Sequence, residues 1–157
     1  MITLIPMTKA QYKAYENEAI RTYAEEKVAS GQWSQAESHE LSKKSMEELL
    51  PQGLSTPNNF LFTVQDSDAG AVGMLWFAAV ERGGQLVAYV YDVSIKTEHQ
   101  RQGFATAAFR AMEEKARELS LSGIALHVFG HNTAAQALYQ KLDYQTTNIN
   151  MYKPIAP

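Results

Sequence analysis

Cysteine is absent from the 157 residues. That excludes a disulfide framework and any mechanism built on a cysteine nucleophile. Long apolar runs are missing too: no stretch approaches the roughly 20 residues of a membrane span. The first twenty residues, MITLIPMTKAQYKAYENEAI, lack a charged segment followed by a long apolar one, so they do not read as a secretory leader. A cytoplasmic protein is expected. Basic residues are not in excess, with 14 Lys+Arg against 17 Asp+Glu and a net charge of −3. A nucleic-acid binder, which usually carries a basic stripe, is therefore not expected. The small acidic excess slightly favours a cationic substrate. There is no internal repeat, no Walker A lysine and no G-x-G-x-x-G, which argues against a nucleotide hydrolase or a dinucleotide site.

What is present is ordinary for a globular chain: 45% hydrophobic and 20% charged residues. The length predicts one domain, with enough chain to bury a core without staples. Met1–Pro6 reads as a strand. Thr8 is placed to cap a helix running to about Ser30, where Gly31 stops it, with Ile20, Tyr23, Ala24 and Val28 as its inner stripe. Ser34 caps a second helix that ends before Pro51. The loop Pro51–Asn59 is followed by strands at Phe60–Gln65, Ala71–Glu81 and Leu86–Ile95. The last two are joined through Gly83-Gly84, a strong hairpin signal.

The period then changes. Phe104, Ala108, Met112, Ala116 and Leu119 recur at helical spacing. Gly123 precedes a strand at Ile124–Phe129, and Asn132 caps a helix at Thr133–Leu142. A final strand is expected from about Tyr144 to Lys153. The order β-α-α-β-β-β-α-β-α-β describes an α/β (α+β) protein with a mixed, mostly antiparallel central sheet and helices on both faces.

The segment Gln100-Arg101-Gln102-Gly103-Phe104-Ala105 opens the amphipathic helix directly after a buried strand. A helix N-terminus offers free N–H groups and a positive dipole end, so it can hold an anion. Gly103 and Ala105 are small enough for phosphates to approach the backbone, and Arg101 adds a positive charge. A pyrophosphate is the natural ligand. The plainer alternative is that Gly103 only shapes a turn between strand and helix.

Two segments together resemble the GCN5-related N-acetyltransferase (GNAT) superfamily. Gln100-x-x-Gly103-x-Ala105 is similar to that family's pyrophosphate loop. Asn132-x-x-Ala135-x-x-Leu138-Tyr139-x-x-x-Asp143-Tyr144 is similar to its N-x-x-A-x-x-L-Y-x-x-x-G-F segment. Asp143 departs from the glycine often found there, but Asp tolerates a left-handed backbone better than most residues. The N-terminal region looks like that of uncharacterised bacterial members.

The resemblance implies acetyl-CoA as co-substrate, with no metal, and a small-molecule or peptide amine as acceptor. It also implies residue roles. The amides of Gln102, Gly103, Phe104, Ala105 and Thr106 would cradle the CoA pyrophosphate, with Gln100 and Arg101 beside it. The backbone of Val93 and Ile95 would pair with the pantetheine arm. Asn132 and Ala135 would hold that arm, and Tyr139 would sit at the sulfur.

The chemistry needs a neutral amine, a polarised carbonyl and a stabilised thiolate. Tyr139 is a candidate acid for the thiolate, with a reference pKa of about 10; the alternative is a core tyrosine. Asp92 is the best candidate base. It is read on the same strand face as Leu86, Ala88 and Val90, where that face turns polar, and burial there would raise its pKa. An aspartate that only ties down a loop is the equal alternative. Glu98 and His99 read as solvated loop residues. His127 and His131 are spaced i, i+4 outside a helix, so a metal site is not expected, and His127 reads as a packed strand residue. Trp33, Glu37 and His39 are candidates for an acceptor pocket.

With no cysteine, direct attack by the amine in a ternary complex is the simplest route. Two other classes remain open on sequence: a non-catalytic acyl-CoA-binding module, and a nucleotide-phosphate-binding protein using the Gly103 turn. An exposed last strand could pair across a homodimer.

Overall fold

The computed structural model of the chain describes residues 1–157, which divide into two compact units, Met1–Leu126 and His127–Pro157. In the first unit β1 is Ile2–Pro6, α1 Lys9–Ala29, α2 Gln35–Leu49, β2 Asn59–Asp66, β3 Gly70–Arg82, β4 Gln85–Ile95, α3 Phe104–Glu118 and β5 Ile124–Leu126. The second unit holds α4, Thr133–Lys141. The five strands form one sheet in the order β1-β2-β3-β4-β5. The first three pairings are antiparallel and the last, β4 with β5, is parallel.

Local chemistry accounts for the boundaries. Thr8 Oγ1 accepts from the Gln11 amide at 3.2 Å, while the Gln11 side chain accepts from the Thr8 amide at 2.9 Å. Such a capping box satisfies two N-terminal donors, and the cap alone contributes about 1 kcal/mol. The β3–β4 hairpin turns at Gly83 and Gly84, both with positive φ, 59° and 81°. Only a type I′ turn needs two such residues, and its twist matches the strands it joins.

The sheet is packed on both faces. Toward α1 and α2 the core contains Met7, Ile20, Met46, Leu61, Met74 and Trp76. A buried bond from Ser42 Oγ to the Ile20 carbonyl, 2.6 Å, ties α2 to α1. Leu75 and Phe77 alternate with Trp76, so they point to the other face. There α3 packs against β1 and β4, and Phe109 and Met112 of α3 are fully buried, as are Leu75 and Phe77.

Two expected strands change. The strand expected over Ile124–Phe129 ends at Leu126, so His127 lies past it and is exposed, not packed within it. The strand expected from Tyr144 to Lys153 does not form, and residues 145–157 carry no regular structure. The alternation there suits a strand, but a strand exists only with a neighbour to complete its ladder. Ile149, Met151, Tyr152 and Ile155 are instead 69–89% exposed.

Candidate active site

The turn between β4 and α3 is built to expose backbone donors. Gly103 caps α3 in the left-handed region, φ 82°, with no side chain bonded across the helix start. The first intrahelical bond runs from the Ala107 amide to the Gly103 carbonyl, 3.1 Å. The amides of Phe104, Ala105 and Thr106 therefore lie at the unpaired end of the helix dipole. Gln100 does not point outward as an anion ligand: its Nε2 donates to the Ile95 carbonyl at 3.0 Å. Gln102 Nε2 reaches the Glu98 carbonyl at 3.4 Å. Both glutamines fasten the turn to the end of β4. Arg101, with φ 62°, and Gln102 are exposed. His99 is half-buried against Phe104, with ring centroids 6.1 Å apart, while Glu98 is solvated. A cleft of about 180 Å³ opens here, lined by Ile95, Gly103, Phe104, Ala105 and Thr106 among others. A wider groove of about 550 Å³ continues from Gly103 and Thr106 along α3 to Arg110 and Arg117.

Next to this turn β4 has an open edge. β5 pairs with β4 only at Ala88, Tyr89 and Val90. β4 continues to Ile95, so the stretch containing Val93 and Ile95 has no strand on that side. Backbone groups on such an edge are a template for an extended ligand.

The register of β4 against β3 decides where Asp92 points. Phe77 pairs with Val90 and Trp76 with Asp92, so Tyr91 is an extra residue, a β-bulge. Cross-strand partners share a face, and Trp76 and Phe77 are on opposite faces. Asp92 is therefore not on the face of Ala88 and Val90, as strict alternation implies. The bulge turns it to the α1 side, the face of Trp76. Tyr91 itself stacks on Trp76, with centroids 4.7 Å apart.

On that side α1 presents polar groups. The Tyr15 hydroxyl donates to Asp92 Oδ2 at 2.7 Å, and the Tyr12 hydroxyl donates to Glu16 Oε2 at 2.9 Å. Asp92 as a residue keeps some exposure, but its carboxyl is largely removed from water. Desolvation raises its pKa above the ordinary carboxylate value, against smaller lowering by the Tyr15 bond and the Val93 amide. Burial first, then the Asp92 charge, pushes the Tyr15 phenol up. Burial and the Glu16 carboxylate do the same to Tyr12.

Sequence reasoning missed Tyr12, Tyr15 and Glu16. Their spacing continues into the buried Ala19 and Ile20, the i, i+3, i+4 signature of an inward face. Of the proposed acceptor-pocket residues, Glu37 and His39 are exposed, and Glu37 accepts from Ser34 Oγ. Trp33 packs edge-on against Tyr23.

In the second unit Asn132 caps α4, its Oδ1 accepting from the Ala135 amide at 3.1 Å. Asn132 Nδ2 takes no part in that bond and can donate to a ligand. Tyr139 is half-buried, its ring 5.6 Å from that of Tyr144. Asp143 adopts φ 67°, the left-handed turn that its position after the helix requires. His127 and His131 each pack on Phe129. No group of three or more His, Asp or Glu is placed to hold a metal ion.

The profile of the acetyltransferase (GNAT) family matches residues 17–144. The chain belongs to the acetyltransferase (GNAT) family. It is 34% identical to the uncharacterised N-acetyltransferase YycN of Bacillus subtilis, over 98% of this chain and 99% of that one. It is 32% identical to the uncharacterised N-acetyltransferase YdgE of the same organism, over 98% of each. The crystal structure of YycN superposes with a TM-score of 0.94 over 100% of both chains, at 33% identity. An acetyltransferase from Pyrococcus furiosus, 23% identical, shares the fold with a TM-score of 0.71 over 99% of this chain and 100% of that one. The protein is thus an acetyl-transferring enzyme of GNAT type, and its mixed five-stranded sheet is the GNAT sheet. No helix in it is long and apolar enough to cross a membrane.

Proposed function

We propose that this GNAT protein transfers acetyl from acetyl-CoA to a primary amine by direct attack in a ternary complex. The observation that carries the reading is the Gly103 cap, whose unpaired amides face a cleft at the foot of the open β4 edge. In this reading the amides from Gln102 to Thr106 hold the pyrophosphate, and Val93 and Ile95 pair with the pantetheine arm. Asn132, through Nδ2, and Ala135 hold the same arm. Asp92 takes the proton that the attacking nitrogen loses as the C–N bond forms. Tyr139 gives its phenol proton to the sulfur as the C–S bond breaks. Both units serve one acetyltransferase domain, a proposal supported by the family match, which runs through the Leu126–His127 boundary.

The test is CoA release from acetyl-CoA with a panel of amines: a lysine peptide, a peptide N-terminus, a polyamine and an aminoglycoside. Acetylation of at least one is expected, and CoA binding without turnover on any would leave a binding module instead. Gly103→Glu is the control for the cofactor site. An added Cβ meets nothing within 4 Å, so the helix core is not overpacked. The carboxylate would still repel a pyrophosphate, and the left-handed backbone would be strained. CoA affinity should fall at least about tenfold, which corresponds to roughly 1.4 kcal/mol. Unchanged affinity by calorimetry would move the pyrophosphate elsewhere.

We also propose a homodimer. The exposed Ile149, Met151, Tyr152 and Ile155 of the unpaired segment 145–157 support pairing with a second copy. Light scattering should return twice 17.5 kDa, and a monomer at working concentration would count against it.

A further inference from the structure

We propose that Tyr15 is the positioning residue of the acceptor side: its phenol fixes Asp92 Oδ2 and leaves Oδ1 to take the proton. This rests on the reading of Asp92 as the base. Three observations carry it. The β4 bulge at Tyr91 turns Asp92 out of the α3-side core and toward α1. On α1 the inward stripe that is apolar at Ala19, Ile20 and Ala24 becomes polar one turn earlier, at Tyr12, Tyr15 and Glu16. At that place one phenol oxygen meets the carboxylate, Tyr15 Oη to Asp92 Oδ2, at 2.7 Å across 77 residues of sequence. A phenylalanine would fill the same core space, so packing alone does not explain a hydroxyl there.

Tyr15 acts as a donor, not as a second base. Its phenol is held above its ordinary pKa by burial and by the Asp92 charge, so it keeps its proton where Asp92 is ionised. A hydrogen bond donated to the ionised carboxylate favours that form and lowers its pKa. It opposes the desolvation that pushes Asp92 up. The groups around Asp92 are Tyr15, with Tyr12 and its partner Glu16 nearby on α1, Tyr91 and Tyr89 on β4, and the uncharged Trp76 on β3. No basic side chain is bonded to Asp92, so Tyr15 is the donor on which its ionised state depends, together with the Val93 amide.

The experiment compares wild type, Tyr15→Phe and Asp92→Asn in the full chain, by two readouts. One is kcat/KM against pH with the best acceptor from the amine panel. The other is titration of the Asp92 carboxyl carbon by NMR without ligand. Tyr15→Phe should move the Asp92 titration and the acid limb of the profile to higher pH. The loss should be about tenfold below the limb and within about twofold above it, the size expected for one hydrogen bond to a charged group. Two results would overturn the positioning role while leaving Asp92 as the base: an Asp92 titration unmoved by Tyr15→Phe, or a loss equal at every pH. If Asp92→Asn keeps wild-type activity, the base reading fails and the role of Tyr15 fails with it.

Discussion

Asp92→Asn should lower kcat/KM by roughly 10²–10⁴-fold, the usual contribution of a positioned base, without lowering stability. The two halves of this expectation have separate causes. Asparagine is close to isosteric, and its carbonyl still accepts from the Tyr15 hydroxyl, so the contact between α1 and β4 survives. What disappears is the ability to take a proton.

The stability half follows from the direction of the pKa shift. The folded pKa of Asp92 is raised, chiefly by desolvation. A raised carboxylate pKa means that the folded state binds its proton more tightly than the unfolded state. Ionised Asp92 therefore costs stability. That cost is absent below the unfolded value near 4, grows as pH rises from there to the folded pKa, and is complete above it. Asp92→Asn should match wild type in melting temperature at about pH 4 and equal or exceed it near pH 7. Loss of activity together with a lower melting temperature at neutral pH would mark Asp92 as a structural aspartate. Full activity across the pH range would place the base elsewhere.

Most of the fold is legible because it is written in local chemistry. Thr8, Ser34 and Asn132 mark helix starts, Gly83-Gly84 marks the hairpin, and Gly103 marks the strand-to-helix turn. Each acts within a few residues of itself. The open edge of β4 is implied by a short β5, but how short is set by pairing. Only Ile124–Leu126 meet β4, although Val128 and Phe129 continue the apolar pattern.

The bulge at Tyr91 was not legible for a related reason. Val87, Tyr89, Tyr91 and Val93 alternate without interruption in the sequence. Nothing in one strand shows that its neighbour will skip a residue. The skip comes from matching Trp76 to Asp92 and Phe77 to Val90. A single skip reverses the face of every residue after it, which is why Asp92 was placed on the wrong side. Tyr15 was missed because its partner is 77 residues away, and its helix looks like any charged surface helix until the stripe from Tyr12 to Ile20 is traced. The segment after Tyr144 errs in the opposite direction. Its strand-like composition is a real local preference, and it lacks the partner that would realise it.

Tyr139→Phe should reduce turnover by about a hundredfold or more while leaving CoA affinity and stability nearly unchanged. Tyr139 lies seven positions after Asn132 in α4, about two helical turns, so the two share a face of that helix. Asn132 is already committed at Oδ1 to the cap on Ala135, which fixes the start of the helix and hence the direction of that face. Tyr139 is half-buried and packs near Tyr144. Phenylalanine preserves that ring contact and removes only the phenol oxygen and its proton. A thiolate leaving group needs a proton only as the C–S bond breaks, so the loss should fall on kcat and kcat/KM together, with CoA binding spared. Supplying an acyl donor with a more acidic thiol, whose thiolate leaves without help, should narrow the gap between the variant and wild type. An unchanged gap with such a donor would sink the acid role even if turnover falls. A drop in melting temperature with unaltered chemistry would assign the hydroxyl to packing within the second unit.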